Sequence, residues 1–193
     1  VVTSSEEWAA ALRSTRATTG AILHPFAGYL LHRGLQTLPV RIAAAQKSAG
    51  ILADRLAEHP AVTRVHYPRM NDPRGLIGTQ MKGSGAMVAF EIEGLEAARN
   101  VMESVGLITA AVSLGSTDTL IQHPASLTHQ LVEEEARESS GISQGLLRLS
   151  VGLESVEDLW EDLAAALPSG STAMIKRRRS RSVQEKSRSS KGA

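Results

Sequence analysis

One arginine stands out chemically because it interrupts a run of apolar residues. Arg148 lies in the sequence Leu-Leu-Arg-Leu-Ser-Val-Gly-Leu-Glu, residues 146–154, whose side chains alternate with the period of a strand. One face holds Leu147, Leu149, Val151 and Leu153, and the other holds Arg148, Ser150 and Gly152. A guanidinium presents a planar fork of donors that suits a carboxylate held by two hydrogen bonds. Taken alone, however, this pattern more often means an arginine on the solvated face of an antiparallel sheet.

A second stretch that could do chemistry follows an apolar segment at residues 107–112. The chain continues as Ser113, Leu114 and Gly115 and then turns into a polar loop that contains Asp118. A strand that ends in this way points hydroxyls and backbone amides into one crevice. The stretch therefore predicts a binding crevice lined by polar groups.

Two histidines after this loop, His123 and His129, are predicted to be structural. They lie six positions apart, which is not the spacing of a paired metal site on a helix, and neither lies in a clear metal motif. No metal site is therefore expected. Ser113, Asp118 and His129 include the residue types of a hydrolase triad, but no Gly-x-Ser-x-Gly turn surrounds Ser113, so the sequence disfavours a serine hydrolase.

The composition indicates a globular domain that can bury a core. The chain has 193 residues, of which 42% are hydrophobic, and no cysteine, which excludes disulfides, thiolate metal sites and a cysteine nucleophile. A reducing, cytoplasmic setting is expected, and no apolar run is long enough to span a membrane. The first residues contain neither an initiator methionine nor a leader, which indicates a chain that begins inside a longer one.

A basic segment stands at the C-terminal end, although the net charge of the chain is only +1. Residues 169–193 contain eight lysines or arginines and one acid, are rich in serine and have few large apolar residues. We expect this segment to be a disordered tail. Its Lys-Arg-Arg-Arg run could bind nucleic acid, but short basic runs are common on solvated tails. A nucleic-acid adaptor is therefore the least favoured of three functional hypotheses.

Helical and strand periods alternate along the rest of the chain. The first predicted helix carries Trp8 and Leu12 on the face expected to be buried, and the last begins with a capping box of Ser155 and Asp158. Helices are predicted near residues 5–15, from 25, at 40–58, at 94–104, from near 130, and at 155–167. Strands are predicted at 62–67, 86–93, 107–112 and 146–154, and residues 113–129 are predicted to be irregular. The pattern favours an α+β fold, with a small, mostly antiparallel sheet covered on one face by helices.

Six motifs occur in a fixed order along the chain. They are His-Pro-Phe followed by Arg-Gly-Leu-Gln-Thr-Leu-Pro within 24–39, Val-His-Tyr-Pro at 65–68, Gly-Ser-Gly-Ala-Met-Val-Ala-Phe at 83–90, Ser-Leu-Gly at 113–115, His-Pro-Ala-Ser-Leu-Thr-His at 123–129, and Leu-Arg-Leu-Ser-Val-Gly-Leu-Glu at 147–154. Together they resemble the C-terminal portion of the pyridoxal-phosphate-dependent enzymes of cysteine and methionine metabolism. This family includes cystathionine γ-synthase, cystathionine γ-lyase, methionine γ-lyase and O-acetylhomoserine sulfhydrylase, and the resemblance covers about residues 1–167.

The resemblance implies a fold type I enzyme with pyridoxal phosphate as cofactor. It implies that residues 1–38 are the end of the cofactor domain with connecting helices, that 39–168 form the small C-terminal domain that binds the substrate carboxylate, and that 169–193 are a disordered tail. The expected partners are a small amino-acid substrate and further copies of the chain in a homo-oligomer, expected to be a homotetramer.

The resemblance also assigns roles to individual residues. It implies that Arg148 holds the α-carboxylate of the substrate, that Ser113 and Leu114 shape the same pocket, and that Gln122 lies near the carboxylate. Asp118 stands where many members have glutamate, which makes it a candidate for setting reaction specificity.

The lysines depart from the family pattern. The resemblance places the Schiff-base lysine shortly upstream of the first residue, so no catalytic residue is expected in this chain. Lys47 and Lys82 precede the tail, and neither has the apolar setting that lowers an amine's pKa for imine chemistry. The favoured hypothesis is the C-terminal portion of a trans-sulfuration enzyme, a carbon–sulfur lyase or γ-synthase, that is inactive alone. The alternative is a non-catalytic, truncated paralogue that binds an amino acid or a full-length partner subunit.

Overall fold

A computed structural model describes residues 3–127 and 134–169 of the chain. The contacts divide the chain into two compact units, residues 1–40 and residues from 41 onward. The domain boundaries expected from the resemblance, 1–38, 39–168 and 169–193, stay predictions. All but the first residue of the predicted basic tail lies outside the described residues.

The first unit consists of two helices and the start of a third. Helix α1 is Glu6–Thr19, α2 is Pro25–Gln36 and α3 is Leu38–Glu58. The Ser5 hydroxyl accepts a hydrogen bond from the N–H of Trp8 at the start of α1, and Gly20 ends the helix with a φ of 69°. Pro25 opens α2 at a position where its fixed φ suits a helix.

The burial predicted for the first helix is wrong. Helix α1 continues to Thr19 rather than ending near Thr15, and it contains no buried residue. Trp8 is 65% exposed, and helix α2 likewise has no buried residue. Apolar periodicity predicts which face of a helix can pack, but not which surface packs against it.

A five-stranded sheet forms the centre of the second unit. Its strands are β1 (Val62–His66), β2 (Met87–Ile92), β3 (Thr109–Ala110), β4 (Leu120–Gln122) and β5 (Leu146–Ser150). Their order across the sheet is β1-β2-β5-β4-β3, and all neighbours are antiparallel except β3 and β4, which are parallel. The predicted α+β fold with a small, mostly antiparallel sheet is confirmed. The prediction that residues 113–129 are irregular is wrong at β4, because a three-residue strand is too short to show a period.

One face of this sheet carries the hydrophobic core. Side chains of β2 alternate between buried and half-buried, and Phe90 is fully buried. Helix α3, α4 (Leu95–Ser104) and α6 (Val156–Ala166) contribute buried residues to the same cluster, among them Leu52, Val101 and Leu163. Burial of each such side chain contributes about 1.5–3 kcal/mol. A further short helix, α5, is Glu134–Ser139. No helix within the described ranges is long and apolar enough to cross a bilayer.

The loop between β1 and β2 is anchored by polar contacts. The Asp72 carboxylate accepts hydrogen bonds from the N–H groups of Leu76 and Ile77 at 3.0 and 2.8 Å, which lowers its pKa below the usual value. The Tyr67 hydroxyl donates to the carbonyl of Gly85 at 3.0 Å, and burial raises the pKa of this tyrosine. The loop therefore has a defined course despite its length.

The hydrogen bonds at the start of helix α6 differ from those predicted. Ser155 occupies the N-cap position, but its side chain makes no capping hydrogen bond within the described part of the chain, so the predicted capping box with Asp158 is wrong. Glu157 instead forms two hydrogen bonds with Arg55 of α3, at 2.9 and 2.7 Å. The guanidinium of Arg55 also lies 5.8 Å from the centre of the Trp160 ring. These contacts join α6 to α3.

Candidate functional site

Arg148 lies at the middle of β5, near the middle of the sheet. Its cross-strand neighbours in the register are Ala89 on β2 and Gln122 on β4. Directly opposed residues of antiparallel strands place their side chains on the same face, with Cβ atoms about 4.5–5.5 Å apart. Sheet pairing thus brings Gln122 and Arg148 together, although 26 positions separate them in the sequence.

Strand β5 is more buried than its alternating pattern predicts. Leu147 and Leu149 are fully buried on the core face, and Ser150 on the other face is also buried, at 2% exposure. Arg148 is the half-buried exception within the strand. Ser150 therefore does not lie on a solvated surface. The loop that follows β3 lies against it, because the N–H of Gly115 donates to the Ser150 hydroxyl at 2.9 Å.

The Ser-Leu-Gly turn reaches Arg148 itself. The Nη2 atom of Arg148 donates a hydrogen bond to the carbonyl oxygen of Ser113 at 3.1 Å. The structure thus joins the two stretches that the sequence singled out, which lie 35 residues apart. The contact uses the Ser113 backbone, so the identity of the serine side chain does not determine it.

A buried donor of Arg148 has no protein partner. Its Nε atom is buried and makes no hydrogen bond within the described ranges 3–127 and 134–169. Leaving a donor buried and unpaired costs about 1–3 kcal/mol. A guanidinium carries five N–H groups, and Nη2 uses one of its two on Ser113. The donor set therefore matches an anion that contacts Nε and a second guanidinium nitrogen together.

Leu114 and Asp118 lie on the same loop but face different surroundings. Leu114 is 60% exposed and lines a crevice of about 190 Å³ together with Ser116 and Leu153. The contacts of Asp118 are local: its N–H donates to the Ser116 hydroxyl at 3.3 Å, and that hydroxyl lies 3.4 Å from the carboxylate. Leu114 follows Ser113 in the chain, but the crevice that it lines does not include Arg148, and the structure shows no contact between Asp118 and Arg148.

Sequence reasoning missed an acidic residue and its partner at the far end of the loop. The carboxylate of Glu154 accepts from the backbone N–H of Thr119 at 2.6 Å and from its hydroxyl at 2.7 Å. Thr119 is fully buried, and its hydroxyl also accepts from the N–H of Gly152 at 2.9 Å. The available signal was a threonine before the short apolar run Leu-Ile, which is too brief to predict a strand.

His123 is a structural residue, as predicted. It is 3% exposed, and both of its ring nitrogens make hydrogen bonds. Nε2 lies 2.8 Å from the carbonyl of Gln144 and must donate, because a carbonyl only accepts. Nδ1 lies 2.8 Å from the Ser126 hydroxyl. These bonds tie the end of β4 to the segment before β5, whereas His129 lies outside the described residues.

The lysines of the described part do not fit the covalent attachment of an aldehyde cofactor. Lys47 on α3 and Lys82 in the loop before β2 are both exposed. A lysine that forms an imine is normally enclosed in apolar surroundings, which favour its neutral form. Within the described residues, neither lysine therefore has the surroundings of an anchor for such a cofactor.

Comparison with known proteins identifies relatives along most of the chain. Residues 1–168 match the family model of the Cys/Met metabolism PLP-dependent enzymes. The chain is 56% identical over 176 residues to an L-methionine gamma-lyase of Brevibacterium sandarakinum, covering 90% of this chain and 44% of that protein. It is 54% identical over 167 residues to an L-methionine gamma-lyase of Streptomyces avermitilis, covering 86% of this chain and 37% of the relative. The chain thus spans less than half the length of these relatives.

Solved structures share the fold. The chain resembles a cystathionine gamma-lyase from Micromonospora echinospora with a TM-score of 0.80 and 37% identity, covering 86% of this chain and 44% of that one. It also resembles a cystathionine gamma synthase from Xanthomonas oryzae pv. oryzae, in complex with aminoacrylate and cysteine, with a TM-score of 0.69 and 44% identity. This second match covers 74% of the chain and 38% of the neighbour.

Proposed function

Because this chain belongs to the pyridoxal-phosphate-dependent enzymes of cysteine and methionine metabolism, we propose that it supplies the substrate-carboxylate site of such an enzyme. Membership confirms both the family and the cofactor predicted from the six motifs. Pyridoxal phosphate, when bound, supplies an electron sink for reactions at the carbons of an amino acid. In the proposal, Arg148 holds the α-carboxylate of that amino acid.

The buried, unpaired Nε of Arg148 is the observation that carries this proposal. Within the described residues, the guanidinium is fixed by Ser113 on one nitrogen and has a buried donor without a partner on another. A carboxylate bound to Nε and Nη2 would satisfy that donor through two charge-assisted hydrogen bonds. It would also carry the negative charge that compensates a half-buried cation.

The neighbouring residues have supporting parts in this proposal. The Ser113 carbonyl orients the guanidinium, and Gln122 places a side-chain amide beside Arg148 on the same face of the sheet. Leu114 directly follows Ser113, and in this proposal it provides an apolar border for the remainder of the amino acid. Asp118 remains a specificity candidate because it lies on the same loop, although it does not contact Arg148.

The proposed activity of the whole enzyme is that of a carbon–sulfur lyase or γ-synthase that acts on a sulfur amino acid or a homoserine ester. Neither Lys47 nor Lys82 has an enclosed setting, so we propose that the lysine that holds the cofactor lies outside the described residues. The assembled enzyme, meaning this chain together with the polypeptide that supplies that lysine, is then the active species. A homo-oligomeric assembly and a cytoplasmic location stay predictions.

Replacement of Arg148 in the assembled enzyme tests this function. Binding of L-methionine is compared with binding of 3-(methylsulfanyl)propylamine, which is the same molecule without the carboxylate. Loss of the two-point contact in Arg148→Ala should cost about 3 kcal/mol, or roughly 100-fold in the Kd of L-methionine, with little effect on the amine. Arg148→Lys keeps the charge but loses the fork, so it should restore only part of the affinity.

An exposed arginine provides the matched control. Arg99 lies on α4 and is 54% exposed, so Arg99→Ala should leave the binding of both ligands unchanged. If Arg148→Ala weakened both ligands equally, or neither of them, Arg148 would not be the carboxylate ligand. Circular dichroism of each variant shows whether it is folded.

A second candidate is the non-catalytic paralogue that binds an amino acid or a full-length partner subunit. The exposure of both described lysines favours it over a self-sufficient enzyme. The purified chain is mixed with pyridoxal phosphate, its visible spectrum is recorded, and it is then reduced with borohydride before peptide mass analysis. We expect no labelled peptide from Lys47 or Lys82. A single labelled lysine would contradict the assignment and would require the chain to be assayed as an enzyme by itself.

A further inference from the structure

The loop at residues 113–119 is joined to residues 148–154 at four successive levels. From one end to the other, the joined pairs are Ser113 with Arg148, Gly115 with Ser150, Thr117 with Leu153, and Thr119 with Glu154. The third level is a backbone bond of 2.8 Å from the Leu153 N–H to the Thr117 carbonyl. Every second residue of the loop is thus held, with the contact to Arg148 at one end and Glu154 at the other.

Of the four joined pairs, Thr119 and Glu154 make the most hydrogen bonds. Both carboxylate oxygens accept hydrogen bonds from Thr119, at 2.6 and 2.7 Å, and the Thr119 hydroxyl accepts from the Gly152 N–H at 2.9 Å. Hydrogen bonds to an ionised acceptor are shorter and stronger than neutral ones. Because Thr119 is fully buried, water cannot replace these bonds without entering the structure.

Gly152 makes this close approach possible. A Cβ atom at this position would overlap the carbonyl oxygen of Thr117 and would lie 2.6 Å from the carbonyl carbon of Asp118. Both obstacles are backbone atoms, so they could not rotate away as a side chain can. The loop therefore lies in direct backbone contact with the segment after β5.

We propose that Glu154 is a positioning residue for the carboxylate site. By fixing Thr119, it holds the loop in place, and the loop in turn sets the direction of the Ser113 carbonyl that orients Arg148. This inference rests on the proposed function, because it concerns how Arg148 is presented to a carboxylate. Glu154 itself contacts Thr119 and not the guanidinium, so its influence passes through the loop.

Three substitutions separate positioning from general stability. Glu154→Gln keeps the shape of the side chain but replaces one accepting oxygen by an NH2 group. That NH2 group cannot accept a hydrogen bond from the N–H or the hydroxyl of Thr119. Thr119→Val keeps the volume but removes the hydroxyl that bonds both Glu154 and Gly152. Thr119→Ser keeps that hydroxyl and serves as the rescue variant. Glu103→Gln, at an exposed position on α4, is the matched control.

The assay compares the binding of L-methionine and of 3-(methylsulfanyl)propylamine to the assembled enzyme. Glu154→Gln and Thr119→Val should each weaken L-methionine binding about tenfold, with less than about a twofold change for 3-(methylsulfanyl)propylamine. Thr119→Ser and Glu103→Gln should bind both ligands as the unmodified protein does. As a readout independent of bound cofactor, amide hydrogen exchange at Thr119 and Gly152 should accelerate in Glu154→Gln of the chain alone.

The Arg148→Ala variant, measured alongside, separates the two proposals. If Arg148→Ala abolishes the preference for L-methionine while Glu154→Gln and Thr119→Val preserve it, the positioning role is wrong and the carboxylate site stands. If the Glu154 and Thr119 variants weaken both ligands equally, Glu154 contributes only to stability, and the inference is again overturned. If Arg148→Ala itself preserves the preference, the proposed function fails first.

Discussion

Substitution of Gly152 by alanine should destabilise the second unit through one steric conflict. The added Cβ would overlap the carbonyl oxygen of Thr117 and approach the carbonyl carbon of Asp118 to 2.6 Å and the Glu154 carboxylate to 2.7 Å. Two of these three atoms belong to the backbone of the loop, so relief requires the loop to move away from the segment after β5. Gly152 is not among the glycines with positive φ, so the conflict is with neighbouring atoms and not with its own backbone conformation.

The expected size of the effect follows from these contacts. Forcing one extra carbon into a packed position costs about 1–3 kcal/mol. Displacing the Gly152 N–H from the Thr119 hydroxyl, at 2.9 Å, removes a further buried hydrogen bond worth about 1 kcal/mol. Alanine lowers the conformational entropy of the unfolded chain relative to glycine, which stabilises the folded state by about 0.4–1 kcal/mol. The net loss in the free energy of unfolding should therefore be about 1–3 kcal/mol.

Urea denaturation of the purified chain measures this loss. Gly50→Ala is the matched control, because a Cβ there would lie 3.8 Å from Arg69 and 4.0 Å from Tyr67, which are ordinary contacts. Gly50 lies within helix α3, where alanine is favoured over glycine by up to about 1 kcal/mol, so the control should be neutral or stabilising. The slope of the transition must be unchanged for the comparison to hold. A Gly152→Ala variant with the unfolding midpoint of the unmodified chain would refute the close backbone contact.

Three further predictions concern the core and the helix contacts. Phe90→Ala removes a fully buried ring and should lower the free energy of unfolding by about 3–5 kcal/mol, measured by urea titration. The hydrogen bonds from Arg55 lower the pKa of Glu157 below its usual 4.5, so the pair stabilises the folded state above that pH. The difference in melting temperature between the unmodified chain and Glu157→Gln should accordingly be present at neutral pH and disappear as the pH falls below 4.5; a constant difference would contradict it. The Asp162 carboxylate accepts the N–H groups of residues 106–108, so Asp162→Asn should accelerate amide exchange there, and unchanged exchange would exclude this role.

Local patterns predicted most elements of the second unit. The alternation along β2 was visible in the sequence, because a strand with one face on the core repeats every two residues. Helix α3 was predicted from Val40 to Glu58 and is observed from Leu38 to Glu58 for a similar reason, since its apolar residues recur with the helical period. The six ordered motifs identified the family, as the comparisons confirm.

Other features depended on contacts that no local pattern describes. Strand β4 has three residues, fewer than two repeats of the strand period, and its place beside β5 determines which side chain adjoins Arg148. The capping box at Ser155 fitted the sequence rule, but Glu157 bonds instead to Arg55, which lies 102 residues away. Local rules describe what a residue can do near its own position, and tertiary contacts select among those options.

The sequence by itself determined the family and the fold class, and it singled out Arg148 for the proposed carboxylate site. Periodicity and motif order suffice for the family and the fold class, because both are properties of short stretches of chain. The tertiary structure alone decided that Arg148 retains a buried, unpaired Nε among the described residues and that Glu154 bonds to Thr119, 35 residues away. Hydrogen-bond partners across a sheet depend on strand register and on how closely the backbones approach. Those distances are set by packing of the whole unit, which no single segment encodes.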